Sequence, residues 1–144
     1  MPQSPSPVIH TKCACIRARR AARSLTDVYD HALGPVGLKI TQFSVLRTAL
    51  RLGPVSVSTL ADEMSLDRST LGRNLGVLRR RGLIADATPA DLRERTVTVT
   101  PAAKRLLEKA MPLWESAQRS VERALGKEGV ATLFHLLARL EALH

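Results

Sequence analysis

The hydrophobic and polar positions of this chain follow mainly the period of an α-helix. Apolar residues recur every three or four positions, and the pairs Gly34-Pro35 and Gly53-Pro54 interrupt the pattern. The predicted helices cover about 12–33, 41–52, 56–64, 67–82, 101–125 and 130–143. A chain with this pattern is expected to be mainly α-helical.

Several of these helices have recognisable boundary residues. Hydroxyl or carboxylate side chains stand where a helix begins, and such side chains accept hydrogen bonds from the first free backbone N–H groups. The predicted caps are Thr41, Ser56, Asp67 and Thr100. Pro112 should bend the helix that contains it, and the glycines of 126–129 should break it.

Two short segments have strand character instead. Residues 83–87 (LIADA) and 96–100 (TVTVT) flank the turn residues Thr-Pro-Ala-Asp. The alternation in the second segment places Val97 and Val99 on one face, which is typical of a half-buried strand. The sequence therefore predicts one small β-hairpin among the helices.

Residues 56–82 predict a helix-turn-helix. In the second of its helices Leu71, Leu75 and Leu78 form an apolar stripe, and the opposite face carries polar and basic side chains. The net charge of +9 favours a polyanionic partner, and an aromatic content of 3% argues against base-stacking platforms for single strands. Double-stranded DNA is the expected partner.

Composition and motifs argue against other classes of protein. The first twelve residues lack the apolar stretch of a signal peptide, and no later stretch would span a membrane, so we expect a cytoplasmic location and no membrane partner. Two cysteines and four histidines show no zinc-ligand spacing. We find no catalytic motif and predict neither an enzyme nor a cofactor.

The last predicted helix carries too broad an apolar surface for a monomer. Its leucines and Phe134 wrap around more than one face. A symmetric homodimer would bury this surface. We therefore expect a flexible arm at 1–11, a helical dimerisation region built from 12–35 and 101–144, and a DNA-binding region at 36–100.

Two motifs carry a family resemblance. The segment LADEMSLDRSTLGRNLGVLRRRGLI resembles the helix-turn-helix of the MarR family of bacterial regulators, and DLRERTVTVT resembles the family's wing motif. The likeness covers roughly 13–143, although many relatives have a glycine soon after the position of Pro101. It implies a winged helix-turn-helix lobe joined to a dimerisation region formed by both termini.

The exposed start of the predicted recognition helix holds the candidate base readers. Side chains in its first two turns that suit DNA are Arg68, Ser69, Thr70, Arg73 and Asn74. Arginine pairs with guanine, asparagine with adenine, and hydroxyls suit phosphates. We take Arg73 as the main base reader, and Ser69 and Thr70 as phosphate contacts. The alternative is an ordinary solvated helix face.

The resemblance assigns further residues to the wing. Arg93 matches the family's minor-groove arginine, and Asp91 would hold its side chain in place. Arg95 is expected to contact the DNA backbone. The alternative is surface charge without a role.

Two cysteines raise the question of regulation. The family resemblance implies release from DNA by small phenolic or aromatic acids or by oxidants. Cys13 and Cys15 open the first helix, where the helix dipole favours a thiolate. Cys15 precedes Tyr29 by fourteen residues, as in the family's organic-peroxide sensors, but Arg19 stands where a second tyrosine would be. The alternative is that Cys15 packs as a small apolar residue and Cys13 has no role.

Taken together, the sequence predicts a dimeric regulator of the MarR type. It would bind a pseudo-palindromic operator, act as a repressor, and leave DNA when a small-molecule effector or an oxidant arrives. Two alternatives stay open: a redox-sensing regulator that uses Cys15, and an architectural DNA-binding protein that acts with a protein partner.

Overall fold

The computed structural model of the chain describes residues 12–87 and 95–144. Its elements, in chain order, are α1 (Ala14–Leu33), α2 (Ile40–Leu52), β1 (Val55–Ser56), α3 (Val57–Met64), α4 (Arg68–Arg80), β2 (Ile84–Asp86), β3 (Thr96–Val99) and α5 (Pro101–Glu141). A short 3-10 turn, Gly34–Val36, separates α1 from α2. The predicted fold class, mainly helical with a small sheet, is confirmed. The predicted arm at 1–11 lies outside the described residues.

The sheet has three antiparallel strands in the order β1-β3-β2. β2 and β3 are the predicted hairpin strands, with Ile84 opposite Val99. β1 was not predicted, because two residues are too few for a periodic signal; Val55 pairs with Val97. Val97 and Val99 are both buried, as their alternation with threonines predicted.

Three of the four predicted caps are confirmed. Ser56 Oγ accepts the N–H of Thr59 at 3.1 Å, and Thr100 Oγ1 accepts the N–H of Ala103 at 3.2 Å. Asp67 caps α4 in the same way. Each cap is local to its helix, which is why the residue type alone identified it.

The predicted cap at Thr41 was wrong, because α2 begins one residue earlier. Lys39 is the residue before the helix, and its N–H donates to Gln42 Oε1 at 2.9 Å. The N–H of Ile40 donates to Asp30 Oδ1 of α1 at 2.7 Å. A carboxylate from another helix therefore satisfies the start of α2, and Thr41 lies inside the first turn.

One hydrophobic core joins α2, α3, α4, the sheet and the first half of α5. The leucine stripe of α4 lies in it, with Leu71 and Leu78 fully buried and Leu75 almost so. The predicted packing face of α4 is therefore confirmed. Burial of this stripe fixes which side of α4 faces outward.

Helix α5 continues past Pro112 and is interrupted at Gly126. Gly126 has φ 74° and ψ 166°, a conformation that a residue with a Cβ rarely adopts. The predicted break is confirmed, and the last helical segment begins directly after it rather than at residue 130. In the part of the chain that the structure describes, no helix has the length and hydropathy to cross a membrane.

Candidate nucleic-acid interface

A tight turn sets the angle between α3 and α4. Ser65 ends α3 in the left-handed region, with φ 52°, and the N–H of Leu66 donates to the carbonyl of Ala61 at 3.0 Å. Asp67 follows directly and begins α4. The predicted turn at Ser65-Leu66 is confirmed, and it brings the start of α4 to the protein surface.

Asp67 holds the first turn of α4 by two hydrogen bonds. Its carboxylate accepts the N–H of Thr70 at 2.7 Å and the hydroxyl of Thr70 at 2.8 Å. These bonds to the backbone and the hydroxyl lower the pKa of Asp67, because they favour the charged carboxylate. Two hydrogen bonds within the chain thus hold the first turn of α4.

The outward face of α4 is centred on Ser69 and Arg73. Both side chains are exposed, four residues apart, on the side opposite the buried leucines. Arg73 Nη2 donates to Thr70 Oγ1 at 3.3 Å, and Thr70 itself is half-buried. A guanidinium on an exposed helix face can donate two hydrogen bonds to one guanine in a major groove.

The structure separates the other two candidate base readers from this face. Arg68 Nη2 donates to Ser58 Oγ of α3 at 3.0 Å, so its side chain leans toward the neighbouring helix. Asn74 Nδ2 donates to the carbonyl of Thr70 at 3.0 Å, and Asn74 is half-buried. Arg68, Ser69 and Arg73 are thus all exposed, with Arg68 turned toward α3, whereas Thr70 and Asn74 are half-buried.

The wing is described only at its base. Arg95 is exposed just before β3, and its carbonyl accepts the N–H of Val57 at 3.0 Å, which ties it to the start of α3. Asp91 and Arg93 lie outside the described residues. The two strands on either side of that segment, β2 and β3, pair directly.

The chain is similar in sequence and in fold to known DNA-binding regulators. Residues 36–94 match the sequence pattern of the MarR family. The chain is 38% identical to the transcriptional regulator MosR of M. tuberculosis, solved in complex with DNA, and the match covers 90% of this chain and 98% of that one with a TM-score of 0.74. The chain belongs to the MarR family.

Other MarR-like structures extend the comparison. BpsR of Bordetella bronchiseptica, whose DNA binding is regulated by 6-hydroxynicotinic acid, is 26% identical, with coverage of 94% and 97% and a TM-score of 0.83. A probable transcriptional regulator from Pseudomonas aeruginosa is 27% identical, with coverage of 90% and 97% and a TM-score of 0.82. The family and these relatives are transcriptional regulators rather than enzymes.

The arginines at the end of this MarR-family recognition helix differ in their contacts. Arg79 Nη2 contacts Asp86 Oδ1 at 3.0 Å, and Arg81 Nη1 donates to the carbonyl of Gly37 at 2.7 Å. The first contact joins α4 to the nearby strand β2, and the second joins the end of α4 to a segment 44 residues earlier in the sequence. A charge run alone did not indicate which arginine would be held and which would be solvated.

An aromatic cluster lies where α1, α2 and α5 meet. The rings of Phe43 and Trp114 are stacked with centroids 6.4 Å apart, and the ring of Tyr29, tilted by 36°, also has its centroid 6.4 Å from that of Trp114. The Arg47 guanidinium lies 5.8 Å from the centre of the Phe43 ring. A cleft of about 320 Å³ opens beside Phe43, Arg47 and Trp114.

Tyr29 has its own partner within this cluster. Its hydroxyl donates to Gln118 Oε1, and burial, together with the charge of Glu122, raises the pKa of Tyr29. Cys15 lies fourteen residues earlier on the same helix, about 21 Å along its axis. A bond between Cys15 and Tyr29 of one subunit is therefore impossible.

Cys13 and Cys15 are both exposed at the start of α1, where Cys13 is the residue before the helix. Within residues 12–87 and 95–144, no three His, Cys, Asp or Glu side chains are grouped to hold a metal ion. Both thiols are exposed and can react with a dissolved oxidant.

Proposed function

We propose that this protein is a dimeric repressor that binds a pseudo-palindromic operator in duplex DNA. The observation that carries the proposal is the outward face of α4, where Ser69 and Arg73 project from a helix whose other side is buried in the core. A helix held in this way fits the major groove of B-form DNA. The DNA complex of the 38% identical MosR supports the same partner.

The base contacts follow from side-chain chemistry. Arg73 reads a guanine through two hydrogen bonds, and Ser69, with Thr70 beside it, contacts phosphate. Arg95, at the base of the wing, contacts the DNA backbone. Asp91 and Arg93 keep the wing roles that the family resemblance implies, with Arg93 in the minor groove.

A second copy of the chain would cover an apolar surface formed by α1 and the end of α5. A cavity of about 570 Å³ lies between the two helices, lined by apolar side chains that include Leu25, Val28, Leu133 and Leu136. On the same part of α5, Phe134 is 57% exposed and Leu140 is 50% exposed. Surfaces of this kind mark interaction sites. We assign 12–35 and 101–144 to dimerisation and 36–100 to DNA binding.

A dimer sets the form of the operator. Two copies related by a twofold axis present two α4 helices, so the half-sites should be inverted and about one helical turn apart. Such a dimer on a promoter excludes polymerase without any further contact surface, which favours repression.

Footprinting on the DNA upstream of the protein's own gene tests the proposal. A protected stretch with inverted half-sites is the expected result. Protection that covers DNA without sequence preference would instead support an architectural protein, and no protection would contradict DNA binding. Arg73→Ala should remove the pattern while leaving the fold intact.

A small aromatic acid is the effector that the cleft at Trp114 suits. The half-buried ring of Trp114 offers an apolar surface, and Arg47 is exposed beside it as a partner for a carboxylate. The regulation of BpsR by 6-hydroxynicotinic acid supports this class of ligand. Trp114 is the only tryptophan, so its fluorescence reports binding directly. Quenching by benzoate-type acids that Arg47→Ala abolishes would support this site, and unchanged fluorescence would exclude it.

Oxidation is the second candidate signal. Cys13 and Cys15 are both exposed at the start of α1, where an oxidant can reach them. Pairing across one residue is strained, so a disulfide between subunits is the favoured product. Operator binding is measured with and without a hydroperoxide, for the wild type and Cys15→Ser. Release from DNA that the variant does not show is the expected result; equal behaviour would contradict a redox role.

A further inference from the structure

A groove runs beside the outward face of α4, between this helix, the start of α3 and the base of the wing. Its volume is about 310 Å³. Its lining includes Ser56, Ser58, Arg68, Gly72, Arg79 and Arg95. Three of them are arginines, and none of the described residues that line the groove is acidic. The groove therefore attracts an anion.

Two of the three arginines are held at the groove by contacts with neighbouring elements. Arg68 donates to Ser58 at 3.0 Å, and Arg79 contacts Asp86 of β2 at 3.0 Å. Asp86 is about half exposed and offsets one of the three positive charges. Arg79 Nε is enclosed, yet it bonds no described residue. The guanidinium of Arg79 is thus oriented by Asp86 while part of its donor capacity is unused.

Gly72 is unusual at this place. It lies in the second turn of α4, where glycine destabilises a helix relative to alanine. A Cβ at Gly72 would meet no atom of the described chain within 4 Å. Packing within the subunit therefore does not require glycine here. A ligand that approaches the helix backbone closely would require it.

We propose that this groove binds one backbone phosphate of duplex DNA in each subunit. The proposal rests on the proposed function, because the groove adjoins the α4 face that would enter the major groove. Arg68, Arg79 and Arg95 supply the positive charge, and the hydroxyl of Ser58 adds a donor. Gly72 lets the sugar-phosphate backbone approach α4. Arg68 and Arg79 thereby position the dimer on DNA, whereas Arg73 reads sequence.

The salt dependence of DNA binding tests the role of Arg79. The apparent dissociation constant of the intact protein is measured on operator DNA and on a scrambled duplex over a range of NaCl concentrations. Arg79→Gln should weaken both complexes by the same factor and lower the slope of log K against log[salt] by about 1.8, which is about 0.9 for each of two lost contacts. Arg119→Gln, which removes an equal charge from an exposed position on α5, should leave the slope unchanged.

A second variant tests the space rather than the charge. Gly72→Leu should fill the groove and weaken binding to both duplexes, while its melting temperature stays at or above that of the wild type because leucine favours a helix. Two variants thus approach the same groove by different means, and a folding defect in one would leave the other informative.

Three outcomes would overturn the proposal. If Arg79→Gln binds both duplexes like the wild type while Arg73→Ala loses the operator, the groove is not a DNA contact and the proposed function still stands. If Arg79→Gln weakens only the operator complex, Arg79 reads a base. If inorganic phosphate alone raises the melting temperature at constant ionic strength, and Arg79→Gln removes this effect but not the salt slope, the groove holds free phosphate. A wild type that binds no duplex would instead contradict the proposed function itself.

Discussion

The two halves of this molecule differ in how they are stabilised. In the lobe formed by α2, α3, α4 and the sheet, every helix contributes buried residues to one core. Among its described residues, α1 buries only Leu33, and α5 buries nothing beyond Ala117. The lobe therefore has the contacts to fold within one chain. The outer half, formed by α1 and the end of α5, has an apolar surface that no described part of the chain covers.

This difference teaches where each half obtains its free energy. Burial in the lobe is intramolecular and independent of protein concentration. Burial of the outer surface depends on a second molecule, so its contribution grows with concentration. The lobe thus holds α4 in position within one chain, whereas contact between the outer halves of two chains would set the distance between their α4 helices.

The largest expected effect is in the lobe. Leu46→Ala should lower the free energy of unfolding by about 2–5 kcal/mol, because Leu46 is fully buried in α2 and its removal leaves a cavity. Leu50→Ala is the matched control, since Leu50 lies on the same helix and is 42% exposed. This change should lower the free energy of unfolding by only about 0.5 kcal/mol. Urea denaturation measures both. Equal losses would contradict the assigned core.

The outer half should respond differently to a comparable change. Leu136 is 47% exposed, so Leu136→Ala should weaken dimerisation rather than folding of the lobe. Burying the exposed half of a leucine side chain contributes half of its full burial free energy, and a symmetric dimer does this twice. The loss in dimerisation free energy is therefore about 1.5–3 kcal/mol, which corresponds to a roughly 10- to 150-fold weaker dimer. Sedimentation equilibrium checks this. Leu50→Ala, which removes the same side chain from an exposed position of the lobe, outside the assigned dimerisation region, serves as the control. An unchanged dimer constant for Leu136→Ala would break the comparison.

Helix capping gives an effect of intermediate to small size. Thr100→Ala should cost about 1 kcal/mol, because Thr100 caps α5 and its hydroxyl also contacts the carbonyl of Gly82 at 2.7 Å. Thr100→Ser keeps the oxygen and should retain most of the stability. Thermal unfolding of both variants decides, and an equal loss for serine and alanine would exclude the capping role.

The smallest expected effect depends on pH. The pKa of Asp67 is lowered in the folded protein, so its stabilisation is complete above its ordinary pKa of about 3.9 and is lost as the pH falls through the folded value. Asp67→Asn accepts the same backbone hydrogen bond and does not titrate. The difference in melting temperature between the two proteins should therefore change only below about pH 4. A difference that is constant from pH 7 to pH 3 would contradict this.

The sequence predicted the local features of the fold well. The leucine stripe at Leu71, Leu75 and Leu78 and the caps at Ser56 and Asp67 depend on residues three or four positions apart, and all were confirmed. Membership of the MarR family was likewise predicted from two short sequence motifs, the helix-turn-helix and the wing. Local spacing is what a single sequence displays directly.

Features that join distant segments were missed. The start of α2 depends on Asp30 of α1, and β1 exists because Val55 lies beside Val97. In the candidate site, Arg68 contacts Ser58 of α3, Arg79 contacts Asp86 of β2, and Arg81 reaches the carbonyl of Gly37, so each arginine contacts a different neighbouring segment. Helical spacing placed these arginines on a helix but not against their neighbours in space.

The central claim is that two subunits together present two α4 faces to one duplex. A titration of labelled operator DNA at concentrations far above the dissociation constant, followed by fluorescence anisotropy, measures the stoichiometry directly. We expect saturation at two chains per duplex, and a loss of the operator complex with Arg73→Ala. Saturation at one chain per duplex, or undiminished binding of Arg73→Ala, would contradict it.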